Sequence, residues 1–208
     1  CLGIAMAVDW VGPDLPASPV ELAKQSLIEK GIDTSWPEDG KHPHWAYGHN
    51  NWNQVCHGGL VAASLAIAEV DPELAAKTIH RAIDGMANAL DSYGPDGVYP
   101  EGATYWGYGT SFSVVTAAMF ESAFGTDFGI LEYPGFKESA VFRMLCDAPS
   151  GLLYNFCDCG ETSGKAGDTT LAWFATKTGN KLFLETEKFT QDPESMGRFS
   201  RLAGLSLV

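Results

Sequence analysis

Residues 52–70 carry a single charge, Glu69, and are otherwise dominated by Ala, Leu, Ile and Val. A helix that is apolar on nearly every side has no face to offer water, so it must sit centrally in the fold. Its most apolar stretch, 60–70, contains Ser64 and reaches Glu69 within about three turns, which suits a buried core helix and is too short to cross a bilayer. The segments on either side are amphipathic and carry their own boundaries. Ser18-Pro19-Val20-Glu21 reads as a capping box with Pro at the first helical position, and Gly31 closes that helix. Val20, Leu22, Leu27 and Ile28 give it one apolar face. Asp71-Pro72-Glu73 opens another with an N-cap, an early Pro and early acids. Leu74, Ile79, Ile83, Met86 and Leu90 continue it to Tyr93-Gly94, and Pro95-Asp96-Gly97 makes a turn.

The same signals predict helices over 111–124, 136–146, 168–178 and 181–189, the first stopped by Gly125. The opening residues, Cys1 to Trp10, read as the tail of a helix that began earlier. Only 151–157 has strand character. Successive helices joined by short connections describe antiparallel helical hairpins, which stack as bundles, solenoids or α/α toroids. No repeat period is visible, which disfavours a regular solenoid. A toroid suits loops that gather at one end to form a cleft. The expected fold is therefore all-α, an incomplete α/α toroid.

At 208 residues the length favours one domain, and 45% hydrophobic with 19% charged residues is the composition of a globular chain. Both ends read as cut: residues 202–208 stop on an apolar run without a cap. The chain is thus expected to be a piece of a larger protein, with a following β region beginning after 150. A net charge of −13 with no Lys/Arg cluster argues against nucleic acid as a partner and sits poorly with a heavily sulfated substrate. Cys1, Cys56, Cys146, Cys157 and Cys159 form no disulfide framework, and Cys157-Asp158-Cys159 lacks a second pair at zinc-finger spacing.

Two segments concentrate the chemistry. One is His49-Asn50-Asn51-Trp52-Asn53-Gln54-Val55-Cys56 at the mouth of the central helix. It follows a polar loop, 33–51, in which Trp36, Trp45 and Tyr47 alternate with His42, His44 and His49. The other is Glu101-Gly102-Ala103-Thr104-Tyr105-Trp106-Gly107-Tyr108, expected as a loop leading into the helix over 111–124. One of Asn50 and Asn51 is accounted for by capping. Two consecutive Asn before Trp52 and Asn53 exceed what a cap needs, and a neutral amide aimed at a substrate carboxylate shares its charge. A tyrosine at 105 or 108 could move a proton; a free phenol titrates near ~10 and needs donors or positive charge nearby to serve as a base at neutral pH. Glu101 could anchor the loop. His57 is one turn into its helix and could face the cleft, while His80 is read as structural. His42 and His44 lack further ligands for a metal. There is no nucleophile elbow, phosphate loop, dinucleotide fingerprint or His-Glu-x-x-His.

At these motifs the chain resembles the heparinase II/III-like polysaccharide lyases and, more distantly, dermatan sulfate epimerase. The matching features are Asn50-Asn51-Trp52 opening a helix, the Pro-Asp-Gly turn, Glu101-Gly102-x-x-Tyr105-x-x-Tyr108, and Gly125-Thr126-Asp127-Phe128 after the next helix. The resemblance runs from Asp9-Trp10 to about Asn155. It implies an incomplete toroid followed by an antiparallel β-sandwich in the same polypeptide, with the cleft between them. It further implies a periplasmic or secreted setting and cleavage of a uronate-containing polysaccharide by β-elimination, with no metal or cofactor. By that resemblance Asn51 neutralises the uronate carboxylate, Tyr105 gives a proton to the leaving oxygen, and a further histidine comes from the sandwich. His49, Asn50 and Glu101 would support the substrate, and Trp52, Trp106 and Tyr108 would stack on sugar rings. The rival expectations are a glycoside hydrolase on the same toroid, with Glu101 and Asp96 as its carboxylates, and a non-catalytic glycan-binding protein.

Overall fold

The computed structural model describes residues 1–162 and 168–184. It is mostly helical: α1 (Leu2–Val11), α2 (Ala17–Leu27), α3 (Asn51–Ile67), α4 (Pro72–Leu90), α5 (Gly102–Phe124), α6 (Ser139–Leu145) and α7 (Thr169–Thr178). The expected helix over 181–189 is a 3-10 turn, Lys181–Phe183, as far as the described residues extend. Residues 185–189 of that helix, and the apolar run 202–208, lie outside them. No described helix is long and apolar enough to cross a membrane.

The uncharged helix is central, as its composition demands. α3 packs against α1, α4 and α5, and Val61, Ala63, Ser64 and Ile67 have no exposed surface. One core cluster joins α3 to Met86 and Leu90 of α4, Trp106 and Phe120 of α5, and Phe174 of α7. A second holds Ala5, Leu27, Ile32, Leu60, Ile67 and Leu74 where α1 and α2 meet α3. Each large side chain so enclosed stabilises the fold by roughly 1.5–3 kcal/mol. The directions of α3, α4 and α5 follow from named contacts. Asn53, early in α3, reaches the carbonyl of Gly85, late in α4, so that pair is an antiparallel hairpin. Gln54 reaches Ser113, and Gly58 lies against Phe112 and Thr116, so α3 and α5 run parallel.

Several boundaries differ from expectation. Pro16 rather than Ser18 occupies the N-cap of α2, and Gly31 lies inside a π-turn, Ile28–Ile32, that prolongs the helix. The stretch 151–157 forms only isolated bridges, Asp147 with Leu153 and Leu152 with Thr162, and no strand occurs among the described residues. The largest difference is α5. It begins at Gly102 rather than near 111, so the Glu101–Tyr108 motif occupies its first two turns and not a loop. Glycines at 102, 107 and 109 hid this, because glycine disfavours a helix interior by about 1 kcal/mol. Two of them have reasons. Gly102 has φ +81°, a conformation that turns the chain into the helix. A Cβ on Gly109 would collide with the Gln54 amide and the Tyr99 hydroxyl, so its absence lets α5 approach α3.

Candidate functional site

Asn50 and Asn51 divide the work that the sequence left undivided. Asn50 is the N-cap of α3, extended at φ −126°, and its Oδ1 accepts the Trp52 N–H at 3.2 Å. Asn51, the first helical residue, is 3% exposed and turns to Glu101. Its backbone N–H donates to Glu101 Oε2 at 3.0 Å and its Nδ2 donates to Oε1 at 2.9 Å. One carboxylate thus takes a free backbone donor of the helix terminus together with a side-chain amide. That contact is charge-assisted and favoured by the α3 dipole. Glu101 stands at the N-cap position of α5 yet makes no side-chain cap there; its carboxylate is spent on α3. Asn51 Oδ1 is buried without a partner.

A buried network continues inward from Glu101. The Tyr99 hydroxyl lies 3.1 Å from Glu101 Oε2 and 3.0 Å from Gln54 Oε1. Gln54 Nε2 donates to the Tyr93 hydroxyl at 2.8 Å and to Ser113 Oγ at 2.9 Å. Tyr93 and Thr110 exchange a bond of 2.6 Å. Burial, with the Glu101 charge nearby, pushes the Tyr93 and Tyr99 phenols well above the ordinary tyrosine range. Both therefore stay protonated; Tyr99 donates into the site, while Tyr93 accepts from Gln54 and shares a bond with Thr110. The sequence singles out Gln54 within its motif but gives no role to it, nor to Tyr93 or Tyr99. The signal for them was the polar set Asn51, Asn53, Gln54 and His57 inside a helix that had to be buried, since buried polar groups require partners.

The other expected residues separate into two groups. Tyr105 is half-buried at the edge of the main core, one turn beyond Glu101, and Tyr108 is half-buried with its ring edge-on to Phe112 at 5.9 Å. Residues 101, 105 and 108 share one stripe of α5 by helical spacing. Trp52 is 58% exposed beside His44. His49 is exposed and tied to α4 instead: its Nδ1 lies 3.0 Å from the Asn88 carbonyl, and Ser92 donates to its own carbonyl. Trp106 has no exposed surface and stacks on Phe174, so it is a core residue and offers no platform to a sugar. Asp96 accepts the Val98 N–H within its turn, as a turn residue does.

His57 also departs from expectation. It is fully buried and faces α4, with Nε2 2.8 Å from the Ala46 carbonyl and Nδ1 unpartnered; burial lowers its pKa to about 4. Nearby Asn53 donates to the carbonyls of Trp45, Ala46 and Gly85. Arg81, 3% exposed, donates to Ser35 O and Oγ at 2.7 Å each and lies between the rings of Trp36 and Trp45. His80, by contrast, is exposed and pairs with Asp84.

Two cavities lie away from Asn51 and Tyr105. One of about 890 Å³ is walled mainly by apolar residues of α1, α3, α5 and α7, among them Trp10, Met119 and Trp173. A second of about 630 Å³ is bounded by Trp45, Cys56 and Phe112, whose ring also meets Tyr108 edge-on. Among the described residues no group of three His, Cys, Asp or Glu side chains is arranged to hold a metal. No protein-family model matches the chain, and no curated protein matches it.

Proposed function

We propose that the chain is the helical part of a polysaccharide lyase that cleaves a uronate-containing polymer by metal-independent β-elimination. The observation that carries this reading is the Glu101 carboxylate locked onto Asn51 at the first turn of α3, with Tyr105 one turn further along α5. The parallel course of α3 and α5, joined in the chain by an α4 that runs back along α3, also suits the hairpin order of an α/α toroid. On this reading a following β-sandwich of the same polypeptide completes the cleft, and the protein works in the periplasm or outside the cell.

Each chemical task then has a residue. Glu101 fixes the Asn51 amide, leaving its second amide hydrogen to meet the uronate carboxylate. Three donors already share the Glu101 charge, which softens its repulsion of an incoming anion. Because Asn51 is almost enclosed, the substrate carboxylate must part the seam between α3 and α5 to reach it. Neutralising that carboxylate, as an oxyanion hole does, stabilises the enolate-like species formed when the further histidine, from the following sandwich, takes the carbon-5 proton. Electrons then form the carbon-4 to carbon-5 double bond as the carbon-4 oxygen departs, and the Tyr105 hydroxyl protonates that oxygen. Trp52 and Tyr108 offer aromatic surface beside it.

The test mixes the full natural polypeptide that carries this chain with a panel of uronate polysaccharides and follows the ultraviolet absorbance of the unsaturated product. Growth of absorbance that disappears in Tyr105→Phe, with the fold unchanged, supports the lyase. New reducing ends without absorbance would establish hydrolysis. Neither product, with oligosaccharide still bound, would make the protein a glycan-binding one.

A further inference from the structure

A second cluster of reactive side chains lies beneath the start of α5. Cys146 and Cys159, 4% and 8% exposed, form a small buried cluster with Ala103 and Leu153, separate from both main cores. The chain folds back to bring them there. Tyr154 donates its N–H to the Cys146 carbonyl at 2.7 Å, and Leu153 donates to the Glu161 carbonyl at 2.8 Å. The two bridges, Asp147 with Leu153 and Leu152 with Thr162, are antiparallel. Segments around 147, 153 and 161 therefore lie side by side, and the two thiols enter one cluster from the outer segments. Burial raises the Cys146 pKa, and the nearby Cys159 adds to that rise. Cys159 Sγ also accepts the Thr104 N–H at 3.3 Å and contacts Thr104 Oγ1 at 3.1 Å, in the first turn of α5. Two residues before it, Cys157 is exposed, at φ +53° in a tight turn.

We propose that Cys146 and Cys159 are a redox pair that closes into an intrachain disulfide, with Cys157 as the thiol that first meets a small-molecule disulfide such as oxidised glutathione. Cys157 attacks the oxidant and releases one glutathione thiol. Cys159 displaces the second, giving a strained Cys157–Cys159 bond; strained disulfides are the labile ones. Cys146 then attacks the Cys159 sulfur and frees Cys157. In sum, two protein thiols are oxidised, glutathione disulfide is reduced to two thiols, and the two protons pass to the glutathione sulfurs. Burial raises the Cys146 pKa and keeps its thiol protonated, which makes it the slowest of the three nucleophiles and places its attack last. The pair requires no lyase activity. Its closure would pin 156–160 against the turn from which α5, with Tyr105, begins.

The test exposes the full folded chain to oxidised glutathione, alkylates the remaining thiols, and maps chymotryptic peptides, since cleavage after Tyr154 and Phe156 separates Cys146 from the other two cysteines. The expected result is loss of two of the five free thiols and loss of the mass of two hydrogen atoms. The Cys146 peptide should be joined to the peptide carrying Cys159, with Cys157 alkylated. Cys157→Ser should form the same bridge more slowly, and Cys146→Ser should lose it. Alkylation of both Cys146 and Cys159 after oxidation would overturn the assignment. So would a final bridge that includes Cys157, or a bridge that forms only in urea. The peptide map of the unsubstituted chain decides the matter even where a variant fails to fold.

Discussion

Helix α3 carries a buried polar network on each flank, and the two are built from interleaved residues of the same helix. Toward α5, Asn51 and Gln54 connect to Tyr93, Tyr99, Thr110, Ser113 and the Glu101 carboxylate. Toward α4, Asn53 and His57 sit with Arg81, Ser35 and the rings of Trp36 and Trp45. The first network holds an anion and ends at the half-buried Glu101, beside Tyr105. The second holds a cation and is closed over by aromatic rings. A buried charge that opens to the surface can meet a ligand; one enclosed in indole can only hold the fold together. Position in the sequence does not separate the two sets, since Asn51, Asn53, Gln54 and His57 fall within seven residues.

The sharpest way to break the contrast is Arg81→Met. Two charged hydrogen bonds and two ring contacts vanish, and the aromatic loop loses its tie to α4. The expected loss is about 4 kcal/mol, read from urea unfolding. Next is the acid response. His57 is held neutral in the fold down to about pH 4, whereas the unfolded chain takes up the proton near 6.5. Between those values the unfolded state binds the extra proton, so stability is present above 6.5 and falls as pH drops toward 4, by about 3 kcal/mol. A His57→Gln chain should show a flatter profile in a pH series of melting curves. Gln54→Leu strands the hydroxyls on the α5 side and should cost about 2 kcal/mol by the same unfolding assay. Glu101→Gln should cost least in stability, about 1 kcal/mol. It should nevertheless abolish product formation, because an amide there cannot accept both Asn51 donors. Full activity in that variant would remove the α5-side network from any catalytic role.

Much of the helical frame is legible in the order of residues alone. Asp71-Pro72 begins α4 where its cap and proline place it, and the uncharged run is central and mostly buried, with Trp52 exposed at its start. Gly125 closes α5, left-handed at φ 74°, as glycine at a helix end should. The start of α5 was hidden because Gly102, Gly107 and Gly109 look like loop residues when their neighbours in space are unknown. Trp106 shows the same limit. An indole between two tyrosines reads as a ligand surface until the partner helix, with Phe174, is found packed on it. Arg81 could not have been foreseen in its setting, since Ser35, Trp36 and Trp45 meet it only through the return of the chain from α3 to α4.

The parallel course of α3 and α5 has an electrical side. Two helices aligned in the same sense bring their amino ends to one spot, and Asn51 and Glu101, bonded to each other, mark it. Their macrodipoles add there, making a local positive pole on a protein whose formal charge is −13. Glu101 is the built-in counterion of that pole. A carboxylate arriving from solution would meet that field only where Glu101 leaves it unmatched.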